Sequence, residues 1–350
     1  LHLSFIISER LVNMINKKVE SIVAKALEGQ ILNKEEIAFL FEVDHESEDS
    51  LHIQAASREL SAKLSNNLAE IHCHVGINLG PCAHNCKWCS FAAVNKVFPK
   101  AVSLSTEEVI EKCLRFEAEG VNAIYLVTTG MYPIKRLIKT VREVRSHLKP
   151  DTVLIANADD FNVEEARQLK EAGLNGAYHA IRFREGIESS IPVEKRLATI
   201  QAIHQTGLVL GTCVEPIGPE HSTEELVNAT VTAREVGAVF SGLMKRIAIP
   251  GTEIGNRGMV EEKRLSHLLA VIRLSTQHEM IGMCWHEPSI AGPMAGANLM
   301  WAETGSSPRD THHDCEHTRG KSVAEIRKMY EDAGWKVLEG ASRIWNSSKA

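Results

Sequence analysis

The sequence of 350 residues has few cysteines, few aromatic residues and no excess of positive charge. It carries 39 Lys and Arg against 45 Asp and Glu, a net charge of −6, which argues against nucleic acid or an anionic membrane surface as the main ligand. Eight cysteines in a chain of this length are too dilute for a disulfide scaffold. No apolar run reaches the length of a membrane span, and residues 1–10 lack the basic start and cleavage site of a secretory signal. These absences predict a globular cytoplasmic protein.

The spacing of apolar residues changes along the chain. Over residues 9–68 apolar side chains recur at spacings of three and four residues, which predicts helices. Asn33 and Glu36 predict a capping box at the start of one of these helices. From residue 71 onward, short β-branched runs alternate with helical patterns, such as 106–119 and 163–172. The predicted strands span 71–79, 123–129, 152–158, 176–183, 208–217, 239–249, 279–285 and 297–303.

This alternation predicts an α/β protein built from repeated βα units. Strands in this number favour a closed (β/α)8 barrel of the TIM type over a doubly wound sheet, with a six-unit partial barrel as the alternative. We expect a helical segment at 1–68, the barrel at 69–310 with a functional loop at 81–91, and a C-terminal loop and helix at 311–350. In such barrels the catalytic residues lie at the C-terminal ends of the strands.

Three of the cysteines, Cys82, Cys86 and Cys89, lie close together directly after the first predicted strand. Three such thiolates can hold three corners of a [4Fe-4S] cluster and leave one iron open for an external ligand. The alternatives are a structural zinc site with His84 or a remote cysteine as fourth ligand, and a redox pair of Cys86 and Cys89. A zinc ribbon or finger normally supplies a second knuckle at defined spacing, and none follows, so we expect the cluster.

The cysteine spacing, with the aromatic Trp88 just before the last cysteine, resembles the signature of the radical S-adenosylmethionine (SAM) superfamily. The resemblance implies that Cys82, Cys86 and Cys89 are the catalytic cluster ligands, that Trp88 lies near the adenine of SAM, and that SAM chelates the open iron. An electron from a reductant such as flavodoxin or ferredoxin would then cleave SAM to methionine and a 5′-deoxyadenosyl radical. That radical removes a hydrogen atom from an unactivated carbon.

Three further motifs extend the resemblance to biotin synthase and its relatives. They are Pro216-Ile217-Gly218, Ile249-Pro250-Gly251-Thr252 and Met294-Ala295-Gly296-Ala297-Asn298. The relatives include methylornithine synthase, the maturase of iron-only hydrogenase and the two-protein lipoyl synthases. This likeness covers about residues 15–310 and implies a transferase-type enzyme that acts on a small or lipoyl-like substrate, with a partner enzyme or a homodimer as further expectations.

Polar residues at the ends of the second and third predicted strands are candidate SAM contacts. Thr128, Thr129 and Gly130 stand where the superfamily usually has a Gly-Gly-Glu run that meets the amino group of SAM, so the glutamate is absent. Asn157 can bind a ribose hydroxyl or orient a polar substrate. The next two carboxylates, at 159 and 160, have the same potential, but either could instead cap the helix that begins near residue 163.

Charged residues follow the fourth to sixth predicted strands. Arg182 and Arg184 suit carboxylates, and strand alternation puts both on one face. Biotin synthase has an amide and a carboxylate near this point, so the two arginines argue against its substrate. Glu215 carries a carboxylate that needs a charged or hydrogen-bonding partner if it lies inside a barrel. The candidate partners are SAM, Lys245 and Arg246. Arg246 is a further candidate cofactor contact, and it precedes the motif at Ile249, which the resemblance places along the adenine.

Three other cysteines, Cys213, Cys284 and Cys315, belong to strand ends or loops on the catalytic side. They could hold an auxiliary iron–sulfur cluster, with His286, His312 or an arginine as fourth ligand. In biotin and lipoyl synthases such a cluster donates sulfur. The alternative is three unrelated buried thiols, in which case the enzyme is a carbon-skeleton mutase or a metallocofactor maturase. A non-catalytic iron–sulfur or zinc protein is the remaining alternative.

Overall fold

The structure is a computed structural model that describes residues 15–346. Three helices come first: α1 (Lys17–Leu27), α2 (Lys34–Glu42) and α3 (Glu48–Ser65). At the start of α2, Asn33 and Glu36 form the predicted capping box, each side chain accepting from the other residue's backbone N–H. The helical segment is therefore confirmed from residue 17 to 65, and the predicted part at 9–14 lies outside the described residues.

Strands and helices alternate after this segment. The strands are β1 (Leu68–Gly76), β2 (Asn78–Leu79), β3 (Val102–Ser103), β4 (Ala123–Val127), β5 (Val153–Asn157), β6 (Gly176–Tyr178), β7 (Val209–Gly211), β8 (Val214–Ile217), β9 (Phe240–Lys245), β10 (Gly282–Trp285), β11 (Leu299–Gly305) and β12 (Lys336–Val337). The helices are α4 (Thr106–Ala118), α5 (Ile134–His147), α6 (Val163–Glu171), α7 (Val193–Thr206), α8 (Thr223–Glu235), α9 (Glu262–Ser275), α10 (Ala291–Met294) and α11 (Val323–Asp332).

The main sheet closes on itself. Parallel pairing joins the strands in the order β7-β6-β5-β4-β1-β11-β10-β9-β8, and the two end segments, β7 and β8, are halves of one strand interrupted at Thr212 and Cys213. The first half also reaches β9, because Thr212 N–H donates to Phe240 O at 3.3 Å and Val239 N–H donates to Leu210 O at 2.9 Å. The ring has no free edge, so the predicted TIM-type (β/α)8 barrel is confirmed.

Several strands are shorter than predicted. The fourth barrel strand, predicted to reach residue 183, ends at Tyr178, and the seventh begins at Gly282 rather than at 279. Pairing between β6 and β7 covers only Gly176–Tyr178. Beyond that point the chain turns over the barrel mouth, and Arg184 has a left-handed backbone with φ of +52°. Strand alternation therefore does not govern Arg182 and Arg184.

Aromatic side chains fill the barrel below its mouth. Trp345, from the segment after β12, donates from Nε1 to the hydroxyl of Tyr125 at 2.8 Å and packs on Phe240. The glycines at 176 and 211 leave the space for this ring, since a Cβ at either position would lie 2.6 or 2.9 Å from it. The N-terminal end of the barrel is thus packed solid, and open volume remains at the C-terminal ends of the strands.

The predicted C-terminal helix at 322–334 is present as α11, with Ser322 as its N-cap. Across residues 15–346, no helix combines the length and the apolar character needed to span a bilayer. The predicted frayed tail after Ser347 lies outside the described residues.

Candidate active site

An open cavity lies at the C-terminal ends of the barrel strands, and its enclosed volume is about 140 Å³. Most of the predicted site residues line this one cavity: Cys82, Cys86, Trp88, Cys89, Thr128, Thr129, Gly130, Asn157, Arg182, Glu215 and Arg246. The structure therefore brings together residues that are scattered over more than 160 positions of the sequence.

The loop that carries the three cysteines is tied to itself by backbone hydrogen bonds. Cys82 N–H donates to Phe91 O at 2.7 Å, and Ala93 N–H donates to Cys82 O at 3.0 Å. The side-chain amide of Asn95 donates to the carbonyls of Lys87 and Cys89, at 3.0 and 2.9 Å. These bonds fix the path of the loop, so the three cysteines are held on one wall without any metal.

The three thiols fit an iron–sulfur cluster. All are free, and backbone N–H groups of His84 and Gly130 donate to Cys82, as does that of Phe91 to Cys89. Such donors stabilise cluster sulfurs. Burial raises the pKa of all three thiols, that of Cys86 to about 11, so a metal must displace protons to bind. In the described part of the chain no group of three His, Cys, Asp or Glu side chains is arranged to hold a single metal ion. A [4Fe-4S] cluster does not need such a group, because each thiolate binds a different iron.

Gly130 faces the cluster loop at close range. A Cβ at this position would lie 2.1 Å from Cδ2 of His84, so a larger residue cannot occupy it while His84 stays in place. The Nε2 atom of His84 lies 2.9 Å from both carboxylate oxygens of Asp159, which also lines the cavity. This pair connects the cluster loop to the end of β5, and it places a carboxylate beside the position where the family glutamate is missing.

The two aspartates after β5 do not cap α6, which corrects one of the sequence interpretations. Asn162 is the N-cap, in a capping box with Glu165. Asp160 instead accepts from Thr199 Oγ1 at 3.0 Å and lies 2.9 Å from Nε2 of His179, both bonds holding loops around the cavity. Asn and Asp are nearly equal as caps, so the sequence alone left the choice open.

Glu215 and Arg182 form a buried pair on the cavity wall. Nε of Arg182 lies 3.0 Å from Oε1 of Glu215, whose side chain is 2% exposed, and the hydroxyl of Tyr178 donates to the same carboxylate. Arg182 and Glu215 both line the cavity. Two of the three candidate partners of Glu215 are engaged elsewhere, since Lys245 pairs with Glu262 and Arg246 with Glu220.

Arg184 and Ile249 do not line the cavity, contrary to the sequence prediction. Nε of Arg184 lies 2.7 Å from Glu225, because the chain has left the strand and points this side chain toward α8. Ile249 is buried behind the wall, and its carbonyl accepts from Thr252 N–H in a tight turn. The cavity residue in that segment is Ile247.

The three cysteines of the expected auxiliary cluster are divided between two environments. Sγ of Cys213 and Sγ of Cys284 are 3.2 Å apart in the aromatic barrel core. Two thiolates on one tetrahedral zinc would stand about 3.8 Å apart, so this contact leaves no room for metal between them. Cys315 lies elsewhere, in a small chamber with His74 and Glu303. The structure therefore pairs two of the three thiols and separates the third.

Some residues in and beside the cavity wall were not predicted from the sequence. Tyr178 and Arg196 line the cavity, and Arg309 and Glu303 belong to a buried ion-pair network with Arg319 and Glu287. Tyr178 is the last residue of β6, and the sequence did not indicate this because the predicted strand continued to residue 183. Arg196 lies in the first turn of α7, and nothing in its local sequence distinguishes it from a solvated residue.

Comparisons with known proteins agree with this site. The radical SAM superfamily model matches residues 80–242. Biotin synthase from Aquifex aeolicus is 25% identical over 280 residues, covering 77% of this chain and 83% of the relative. Biotin synthase from Desulforudis audaxviator is 27% identical over 289 residues, covering 78% and 83%.

Solved structures match in fold at low identity. Methylornithine synthase (PylB) has a TM-score of 0.74 at 14% identity, with 94% of this chain and 99% of that chain covered. The FeFe-hydrogenase maturase HydG from Carboxydothermus hydrogenoformans has a TM-score of 0.75 at 16% identity, with coverage of 94% and 81%. The chain is thus similar to the radical SAM superfamily over residues 80–242 and to biotin synthases over about three quarters of its length, and it shares its fold with methylornithine synthase and HydG.

Proposed function

We propose that the protein is an enzyme that cleaves SAM reductively and uses it to abstract hydrogen from an aliphatic carbon of a small molecule. The observation that carries this proposal is that three free cysteines and the polar ends of several strands share one cavity. A [4Fe-4S] cluster on Cys82, Cys86 and Cys89 would supply one electron to the sulfonium of bound SAM. The chain's own contribution is to hold the cluster, orient SAM and the substrate, and exclude water.

SAM has an ammonium and a carboxylate that the cavity walls can recognise. Asp159 presents a carboxylate for the ammonium, and the hydroxyl of Thr128 adds an acceptor next to it. Arg182 and Arg246 present guanidinium groups for the carboxylate, although each already has a carboxylate partner. Trp88 offers an apolar surface for the adenine.

We favour chemistry without sulfur insertion. A sacrificial second cluster would need Cys213, Cys284 and Cys315 together, and Cys315 is apart from the other two. This supports a carbon-skeleton mutase or a metallocofactor maturase over a sulfurtransferase of the biotin or lipoyl synthase kind. We further propose that the protein is cytoplasmic and that a flavodoxin or ferredoxin supplies the electron.

Reductive SAM cleavage by the anaerobically reconstituted protein tests the proposal. With dithionite as reductant, we expect 5′-deoxyadenosine from the wild type and none from Cys86→Ala. Cys113→Ser is the matched control, because Cys113 is a buried thiol of α4 in the hydrophobic core. Formation of 5′-deoxyadenosine at the wild-type rate by Cys86→Ala, or its absence from the wild type with a full cluster, would contradict the proposed function.

A further inference from the structure

A small side chamber opens off the main cavity between β1, β11 and the loop after β11. It encloses about 20 Å³, roughly the room that one water molecule needs, and its walls include His74, Glu303, Thr304, Ser306 and Cys315. Val127, Asn157, Pro308 and Arg309 line both the chamber and the cavity, so the two volumes are continuous. Cys82, Cys86 and Cys89 do not line the chamber.

His286 stands in the cavity wall next to the chamber with its hydrogen-bonding capacity unused. The residue is 3% exposed, and Nδ1 is fully buried with no hydrogen-bond partner. Among residues 15–346 the other ring nitrogen has no partner either. The ring stacks on Trp301 at 4.7 Å and on His74 at 5.2 Å. A buried polar group without a partner is costly, and in a cavity wall it marks a place where a ligand completes the hydrogen bonding.

A second unused polar group lines the same cavity as this histidine. The side-chain amide of Asn157, at the end of β5, lines both volumes and makes no hydrogen bond to the described part of the protein. An amide offers two donors and an acceptor, and an imidazole offers one of each when neutral. Together the two side chains can satisfy a group that both donates and accepts.

The charges around the chamber leave no place for a charged ligand group. Arg309 and Arg319 each pair with both Glu287 and Glu303, so two positive and two negative charges balance. Burial, and then the nearby Arg309, hold the pKa of His286 well below its usual range, so the ring is neutral. An additional charge here would be buried without a partner, whereas a neutral polar group would gain hydrogen bonds.

The volume below the chamber is closed. His74 packs against Tyr125 and Trp301, and Trp345 fills the barrel beneath them. A long acyl chain therefore cannot extend below the chamber, and the end of a substrate that reaches it must be compact.

We propose that His286 and Asn157 form the polar end of the substrate site, which accepts a neutral hydroxyl or carboxamide of a compact substrate. This inference rests on the proposed function, because it assigns one end of the same cavity to the substrate. It predicts a short polar molecule rather than a lipoyl-like or other long aliphatic one.

Matched probes test the charge and hydrogen-bonding claims directly. Butyramide and butyrate have nearly the same shape, and only the second is charged at neutral pH. Binding of each to the reconstituted holoenzyme with SAM is measured by saturation-transfer NMR. We expect butyramide to bind and butyrate to bind at least tenfold more weakly. His286→Phe keeps the ring stacked on Trp301 but removes both nitrogens, and should weaken butyramide by about tenfold, the value of one good neutral hydrogen bond.

His221→Phe is the control variant. His221 is also buried, stacks on Phe183 at 4.1 Å and has an unpartnered Nε2, but unlike His286 it does not line the main cavity. Butyramide binding should survive this change. Equal binding of both probes, no binding of butyramide, or wild-type binding by His286→Phe would overturn the inference. Formation of 5′-deoxyadenosine in the same preparation separates the two claims, because active protein with a failed probe test disproves only the substrate assignment.

Discussion

Replacing Glu215 by glutamine should destabilise the protein through the arginine it leaves behind. The carboxylate is 2% exposed and lies 3.0 Å from Nε of Arg182. Glutamine keeps the shape and can still accept from Tyr178, so the change removes one charge and little else. Breaking a buried ion pair from one side costs about 3–5 kcal/mol, and because the Arg182 side chain is 19% exposed we expect the lower end, about 3 kcal/mol.

Urea unfolding of the anaerobic apoprotein measures this cost. The midpoint should fall at an unchanged m value, which reports a loss of stability rather than a change of unfolded state. The double variant Glu215→Gln with Arg182→Gln removes both charges, so its cost should be smaller than the sum of the single costs by about 2 kcal/mol.

A second arginine–glutamate pair provides the control. Nε of Arg184 lies 2.7 Å from Glu225, with both side chains about 30% exposed, so Glu225→Gln should cost less than about 1 kcal/mol. If Glu215→Gln costs no more than Glu225→Gln, or if the double variant is additive, the carboxylate is not the partner on which Arg182 depends.

Three further changes have expected outcomes of their own. Gly130→Ala should displace the His84 ring by more than 1 Å and break its contact with Asp159, lowering SAM affinity by about tenfold in calorimetry; unchanged affinity would show that this contact does not shape the SAM site. Burial lowers the pKa of His267 from 6.5 to about 4, so stability should be full above pH 6.5 and fall by about 3 kcal/mol as the pH drops to 4. In His267→Gln, urea midpoints should vary less with pH in this window, and an equal slope would assign the pH dependence to other groups. Cys113→Ser should retain the iron content of the wild type; loss of iron would place this thiol near the cluster.

Elements with a strong pattern were predictable from the sequence. The order of βα units, the helical segment and the capping box at Asn33 follow from local periodicity and capping chemistry, which depend on neighbours in the chain. The ring closure follows from the number of units. The strand ends were less predictable, because pairing stops where the partner strand stops, as β6 does at Tyr178.

In the candidate site, too, local features were predictable from the sequence and contacts between distant residues were not. The cysteine loop could be identified because its chemistry is local, and Arg182 and Glu215 because a charged residue at a barrel mouth needs a function or a partner. Which partner each one takes depends on three-dimensional contacts between distant loops. Arg184 pairs with Glu225 of α8, and Cys315 lies apart from Cys213 and Cys284. His286, which follows β10, stacks on Trp301 of β11. No sequence spacing records those contacts.

The electron paramagnetic resonance spectrum of the dithionite-reduced, anaerobically reconstituted protein, with and without SAM, tests the central claim most directly. We expect a [4Fe-4S] signal that shifts when SAM is added, because SAM would bind the iron that Cys82, Cys86 and Cys89 leave open. The same signal should be lost in Cys86→Ala and retained in Cys113→Ser. A cluster spectrum that ignores SAM, or zinc in place of iron on these thiols, would contradict the account.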